Sequence, residues 1–202
     1  MKTIHMNLSR PSYKSLREVA DIMLAGGVAI YPTDTVYGLG CDIFSKKAME
    51  RISRIKKRDP AKPFSIMCVN IEQISEFAQV SNWGFRLMNR TLPGAYTYIL
   101  EARKSAAPKK MLGKRSTVGV RIPDNQICNK LVELVERPII TTSVNLSGGE
   151  PFSDPAMLPE SFERYIDVAI NVGPLVSEPS TVVDLTGDEP VVIRHGKGEE
   201  LL

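Results

Sequence analysis

Four stretches of the chain concentrate side chains that can handle an anion: TDTVYGLG (33–40), KKRDPAKP (56–63), TTSVNLSGG (141–149) and IRHGKG (193–198). Hydroxyls and cations dominate them. A triphosphate needs several charge-assisted contacts, for which arginine offers a planar fork and lysine a point charge. Lys56, Arg58, Arg121 and Arg194 are the candidates for such contacts. His195 is the one histidine near any of these stretches, so hydrolysis through an activated serine has no base to run on. Neither G-x-x-x-x-G-K-[ST] nor a G-x-G-x-x-G after a strand occurs, so a nucleotide must be held without a P-loop or a dinucleotide fingerprint.

Each candidate has a plainer structural reading beside the functional one. Lys56 and Arg58 suit a helix C-terminus, where cations meet the dipole. Arg121 can be a solvated strand residue, since alternate strand positions face outward. Ser143 and Asn145 can be turn residues bonding their own backbone. Gly38 and Gly40 can serve a tight turn. Asp34 can cap a loop and Asp184 can end a strand; neither is assigned a metal.

The elements that must carry these residues alternate. A helix is predicted from Ser15 to Gly27, with Ser15 and Glu18 as a capping box and Leu16, Val19, Ala20 and Met23 on one face. Val28–Tyr31 reads as a buried strand that delivers the 33–40 loop. Ser45 can cap a second helix bearing Ala48, Met49, Ile52 and Ile55, with Pro60 as its stop. A strand around 64–69, a helix over 82–90 and a strand over 96–101 follow. In the strand 117–122, Val118, Val120 and Ile122 share one face, and Gly119 and Arg121 the other. A helix capped by Asp124 or Asn125 runs toward Pro138, and a strand over 139–142 feeds SVNLSGG. The tail adds strands near 168–172, 181–185 and 191–194, the last two joined as a hairpin by TGDE. Residues 148–159 read as a surface loop. This order predicts an α/β domain around a twisted mixed sheet flanked by helices, with no internal domain boundary.

Composition sets the outer bounds. The net charge of +3, from 26 basic and 23 acidic residues, is too small to declare a nucleic-acid binder, so any basic surface must be local. No apolar run approaches the ~20 residues of a membrane helix, and the N-terminus lacks a signal-peptide core, which predicts a cytoplasmic protein with no membrane partner. Cys41, Cys68 and Cys128 are widely spaced and form no CxxC pair, which argues against both a disulfide framework and a zinc site.

Taken in order, YPTDTVYGLGCD, the K-x-R of Lys56 and Arg58, VGVRIP, TTSVNLSG, and EPSTVVD followed by VIRHGKG resemble the YrdC-like threonylcarbamoyl-AMP synthase family over residues 14–197. The resemblance implies a YrdC-like fold with a large, positively charged concave face holding L-threonine and ATP side by side. It implies that bicarbonate and threonine form a carbamate that attacks ATP, releasing pyrophosphate, and that the product serves threonylcarbamoyladenosine modification of tRNA through tRNA-modification proteins downstream. Lys56, Arg58, Ser143 and Asn145 are implied to hold the ATP phosphates, the first two carrying catalysis, with Arg194 near the nucleotide. Thr33, Tyr37, Arg121 and Ser180 are implied to form the threonine pocket or its edge. Magnesium is expected with ATP. Where the family has a Trp-Pro-Gly-Pro-Leu-Thr type stretch, this chain has TLPGAYTYIL, a form closer to the YciO-like branch. The alternative function is binding of double-stranded RNA or tRNA through the same basic concavity.

Overall fold

The computed structural model describes residues 1–57, 64–112, 116–146, 148–175 and 178–199. Among them run ten strands: β1 (Lys2–His5), β2 (Ala29–Tyr31), β3 (Gly38–Asp42), β4 (Ser65–Met67), β5 (Tyr96–Glu101), β6 (Thr117–Arg121), β7 (Ile139–Ser143), β8 (Val168–Asn171), β9 (Thr181–Asp184) and β10 (Val191–Arg194). They form one mixed sheet in the order β1-β8-β2-β3-β7-β4-β6-β5-β9-β10. The helices are α1 (Tyr13–Leu24), α2 (Lys46–Ile55), α3 (Ile71–Phe77), α4 (Asn82–Thr91), α5 (Lys109–Leu112), α6 (Gln126–Val135) and α7 (Glu160–Glu163).

Local chemistry sets most helix starts. Ser45 accepts from Ala48 N and Asn125 from Ile127 N and Cys128 N, each satisfying donors that a first turn leaves free. The start of α1 differs from the predicted one. Ser12, not Ser15, is the cap, accepting from Ser15 N, and Glu18 instead pairs with Lys2 of β1. Helix α1 ends at Leu24 with Ala25 as its C-cap, followed by Gly26 at φ +88°, a conformation glycine adopts without a Cβ penalty. Helix α2 ends at Ile55 with Lys56 as its C-cap; the predicted stop, Pro60, lies outside the described residues.

Alternation along the strands splits the sheet into two unlike faces. On one face Ile30, Leu39, Cys41, Ile66, Tyr96, Tyr98, Leu100, Val118, Val120, Ile140 and Val183 join the larger apolar core, which α2, α3 and α4 cover. On the other, α1 and α6 pack over Ala29, Tyr31, Ile139, Val168 and Ile170. That second cover reaches only part of the sheet. Beyond it, the same face of β3, β7, β4, β6, β5 and β9 carries glycine, hydroxyls and Arg121, with Ile99 and Val182 among them, and there a cleft opens.

Strand β3 occupies part of the stretch predicted as a loop. Its glycines serve close approach rather than a turn. A Cβ on Gly38 would stand 2.6 Å from the Tyr31 ring, and one on Gly40 would stand 2.3 Å from Ile140 O and 2.6 Å from Tyr31 Oη. The Tyr31 ring therefore lies against both glycines, with its hydroxyl donating to Thr141 Oγ1 at 2.9 Å.

Candidate active site

The cleft encloses about 450 Å³, within the range of small-molecule sites. Its floor is the hydroxyl-bearing sheet face: Thr141 and Ser143 of β7, Ser65 of β4, Thr97 of β5 and Ser180 before β9. Residues 148–151, Gly-Gly-Glu-Pro, make one wall, and Arg121 and Arg194 stand on the side toward β9 and β10.

At one end Lys56, at the C-terminus of α2, lies buried against Ser143 and Asn145, which line the cleft. Its ammonium donates to Ser143 O at 2.6 Å and to Asn145 Oδ1, and the residue is only 4% exposed. Ser143 Oγ also donates to Asn145 Oδ1, and Asn145 Nδ2 donates to Gly149 O at 2.6 Å. Asn145 thus ties the lysine, the end of β7 and the glycine wall into one unit. The K-x-R lysine and the S-x-N pair, 87 residues or more apart in sequence, meet here. Arg58 lies outside the described residues.

At the other end Arg121 is 8% exposed and donates through Nη2 to Asp34 Oδ1 at 2.7 Å, with Thr35 Oγ1 at 3.3 Å. Its Nε is buried and has no partner among the described residues, which buried donors rarely lack. Arg194 is exposed along β10, but its guanidinium folds onto Ser180 O at 2.7 Å. Desolvation first, then repulsion from Arg121, lower the Arg194 pKa from its ordinary value. Arginine stays protonated under such a shift, so two cations share this side of the cleft. Ser180 Oγ meets Thr97 Oγ1 at 2.8 Å between them.

Two of the expected residues contribute differently. Tyr37 lines the cleft, but its hydroxyl donates to Gly173 O and accepts from Val172 N, fastening the loop after β8. Thr33 donates its hydroxyl to Val36 O at 2.7 Å and accepts from Thr35 N, so it shapes the loop from within. It lines a neighbouring, more open groove of about 560 Å³ with Asp34, Asp124 and Lys197. The lining residues Thr35, Ser65, Thr97, Thr141 and Glu150 were absent from the sequence-derived set. Their signal was available in the small polar residues that alternate with Tyr96, Tyr98 and Ile140.

Among the described residues no group of three or more His, Cys, Asp or Glu could hold a metal ion, and no helix is long and apolar enough to cross a membrane.

A family model for the Sua5, YciO and YrdC proteins, described as "Telomere recombination", matches residues 21–196. The uncharacterized protein YciO of Escherichia coli K12 is 39% identical over 196 residues, 96% of this chain and 95% of that protein. The crystal structure of E. coli YciO superposes with a TM-score of 0.89, covering 98% of this chain and 96% of that one. The threonylcarbamoyl-AMP synthase of Pyrococcus abyssi is 34% identical over 183 residues, which are 90% of this chain but 54% of that enzyme. The structure of P. abyssi Sua5 complexed with L-threonine has a TM-score of 0.89 at 32% identity, covering 97% of this chain and 58% of that one. The chain belongs to the Sua5/YciO/YrdC family.

Proposed function

We propose that this chain makes threonylcarbamoyl-AMP from L-threonine, bicarbonate and ATP. The observation that carries this reading is a single cleft with a lysine-centred cluster at one end and an arginine pair with an orphan buried donor at the other. Such a site suits two anionic substrates held side by side. Likeness to a P. abyssi threonylcarbamoyl-AMP synthase, and to the Sua5 structure bound to L-threonine, supports threonine as a substrate, while ATP and bicarbonate follow from the motif resemblance.

In this reading the Arg121 guanidinium donates to the amino acid carboxylate, with Ser180 and Thr97 at its edge. Lys56, held by Ser143 O and Asn145, faces the phosphates, and Arg194 lies toward the nucleotide. Arg58 completes the K-x-R pair. The carbamate oxygen attacks the α-phosphorus of ATP and pyrophosphate leaves. Little covalent help is required, so the residues act by alignment and by meeting charge that grows in the transition state. Magnesium, which neutralises phosphate charge when bound, fits a lining whose oxygens are hydroxyls, carbonyls and the Glu150 carboxylate.

The test is an omission series on the purified protein. Pyrophosphate release should need ATP, magnesium, L-threonine and bicarbonate together. Release indifferent to threonine and bicarbonate contradicts the proposal.

A further inference from the structure

Arg121 is the buried cation of the cleft whose direction matters most, because part of its fork, the buried Nε–H included, has no partner among the described residues. Its side chain has four rotatable bonds, and nothing in a strand end fixes where the guanidinium points. The direction is set from outside the cleft. Asp34, whose side chain is 9% exposed, takes Nη2 through Oδ1 at 2.7 Å. Its Oδ2 accepts from Asp124 N at 3.1 Å, where the chain turns toward α6. Its backbone carbonyl accepts from Lys197 Nζ.

Lys197 is itself anchored. Its backbone N donates to Pro179 O at 2.9 Å, and Gly196 N donates to Thr181 Oγ1 at 3.1 Å. A Cβ on Gly196 would stand 2.2 Å from Pro179 O, so the segment can lie this close to the strand only with glycine there. A path of hydrogen bonds therefore runs from the C-terminal segment through Asp34 to Arg121. It leaves Nε buried and unpartnered.

We propose that Asp34, braced by Lys197, is a positioning residue that holds the Arg121 guanidinium at the cleft for the carboxylate of the amino acid substrate. The ligand's identity rests on the function proposed above; the aiming of Arg121 does not. The lysine of IRHGKG thus acts from outside the cleft.

Two measurements test this on the full chain. The first is the ¹⁵N–¹H spectrum of arginine Nε–H groups, with the Arg121 peak identified through Arg121→Lys. In the parent protein that peak is expected to exchange slowly, and in Asp34→Asn it should shift and exchange fast, because Arg121 loses its counter-charge. The second is L-threonine affinity by titration with and without ATP. Asp34→Asn should weaken threonine about 10–100-fold while ATP affinity stays within about threefold, as expected for loss of one buried charge partner. An unmoved peak with unchanged threonine affinity overturns the proposal. So does an equal loss for threonine and ATP, which marks general loosening. If Asp34→Asn does not fold, Lys197→Met removes only the brace and should show the same selective loss, smaller, with recovery in Lys197→Arg; no loss there overturns the proposal as well. A peak that shifts in a protein binding no threonine keeps the positioning role and discards the synthase reading.

Discussion

Lys56 caps α2, and the same position puts its ammonium on Ser143 O and Asn145 Oδ1, two residues that line the cleft. Because it is buried rather than solvated, its removal costs more than a helix-dipole contact. Lys56→Met should lower turnover by about 10²–10³, the usual loss for one preorganised electrostatic contact. It should also cost about 1–3 kcal/mol of stability, since two acceptors lose their donor. Steady-state kinetics and chemical denaturation check the pair; near-normal turnover removes Lys56 from the site. Tyr98 gives a pH prediction. Burial pushes its phenol up to about 12, the Thr91 hydrogen bond pulling the other way. A free tyrosine ionises near pH 10, so between about pH 10 and about 12 the unfolded chain sheds a proton that the folded chain keeps. Stability is whole below that window and falls as pH rises through it. Denaturation midpoints over that range should fall more steeply for the parent than for Tyr98→Phe.

At the scale of elements, the strands and helices with strong patterns were legible. Tyr96–Glu101 matches its predicted bounds, and β6, β7 and α4 lie within one or two residues of theirs, while α2 and α6 start at their predicted caps but end at Ile55 and Val135, short of the prolines predicted to stop them. The failures have physical causes. Strand β3 reads as a loop because three of its five residues are Gly38, Gly40 and Asp42, and the reason for the glycines is the Tyr31 ring, which arrives from another strand. Helix α3, at seven residues, is too short to display a period. Strand β1 exists by pairing with β8, a partner 166 residues away. In the site, the motifs pointed to Lys56, Arg121, Ser143, Asn145, Ser180 and Arg194, but not to Asp34's grip on Arg121, which depends on folding. The β3 packing predicts that Gly40→Ala, forced against Ile140 O and Tyr31 Oη, costs about 1–3 kcal/mol and disturbs the cleft floor. A thermal melt together with threonine titration reads both effects; an unchanged melting temperature contradicts the packing account.

On the whole molecule, the sheet divides its labour by face. One face is apolar and covered, while the other passes from helix cover to an open polar floor, so the site needs no inserted domain to form its walls. Net charge stays near zero while cations gather locally, which bears on the RNA-binding alternative. RNA contacts through phosphates would draw on the cations proposed for ATP, so binding should be weak, fall steeply with salt and yield to excess ATP. Filter binding across a salt series reads this; tight binding at physiological salt that ATP leaves intact favours the RNA function.

The most direct test of the central claim follows the atoms. Purified protein given ATP, magnesium, L-threonine and ¹³C-bicarbonate should yield an adenylate whose mass carries both the threonine and the labelled carbon. Mass spectrometry showing that product, lost in Lys56→Met, is the predicted result. Hydrolysis of ATP with no labelled adenylate, or an adenylate carrying threonine without the carbon, contradicts it.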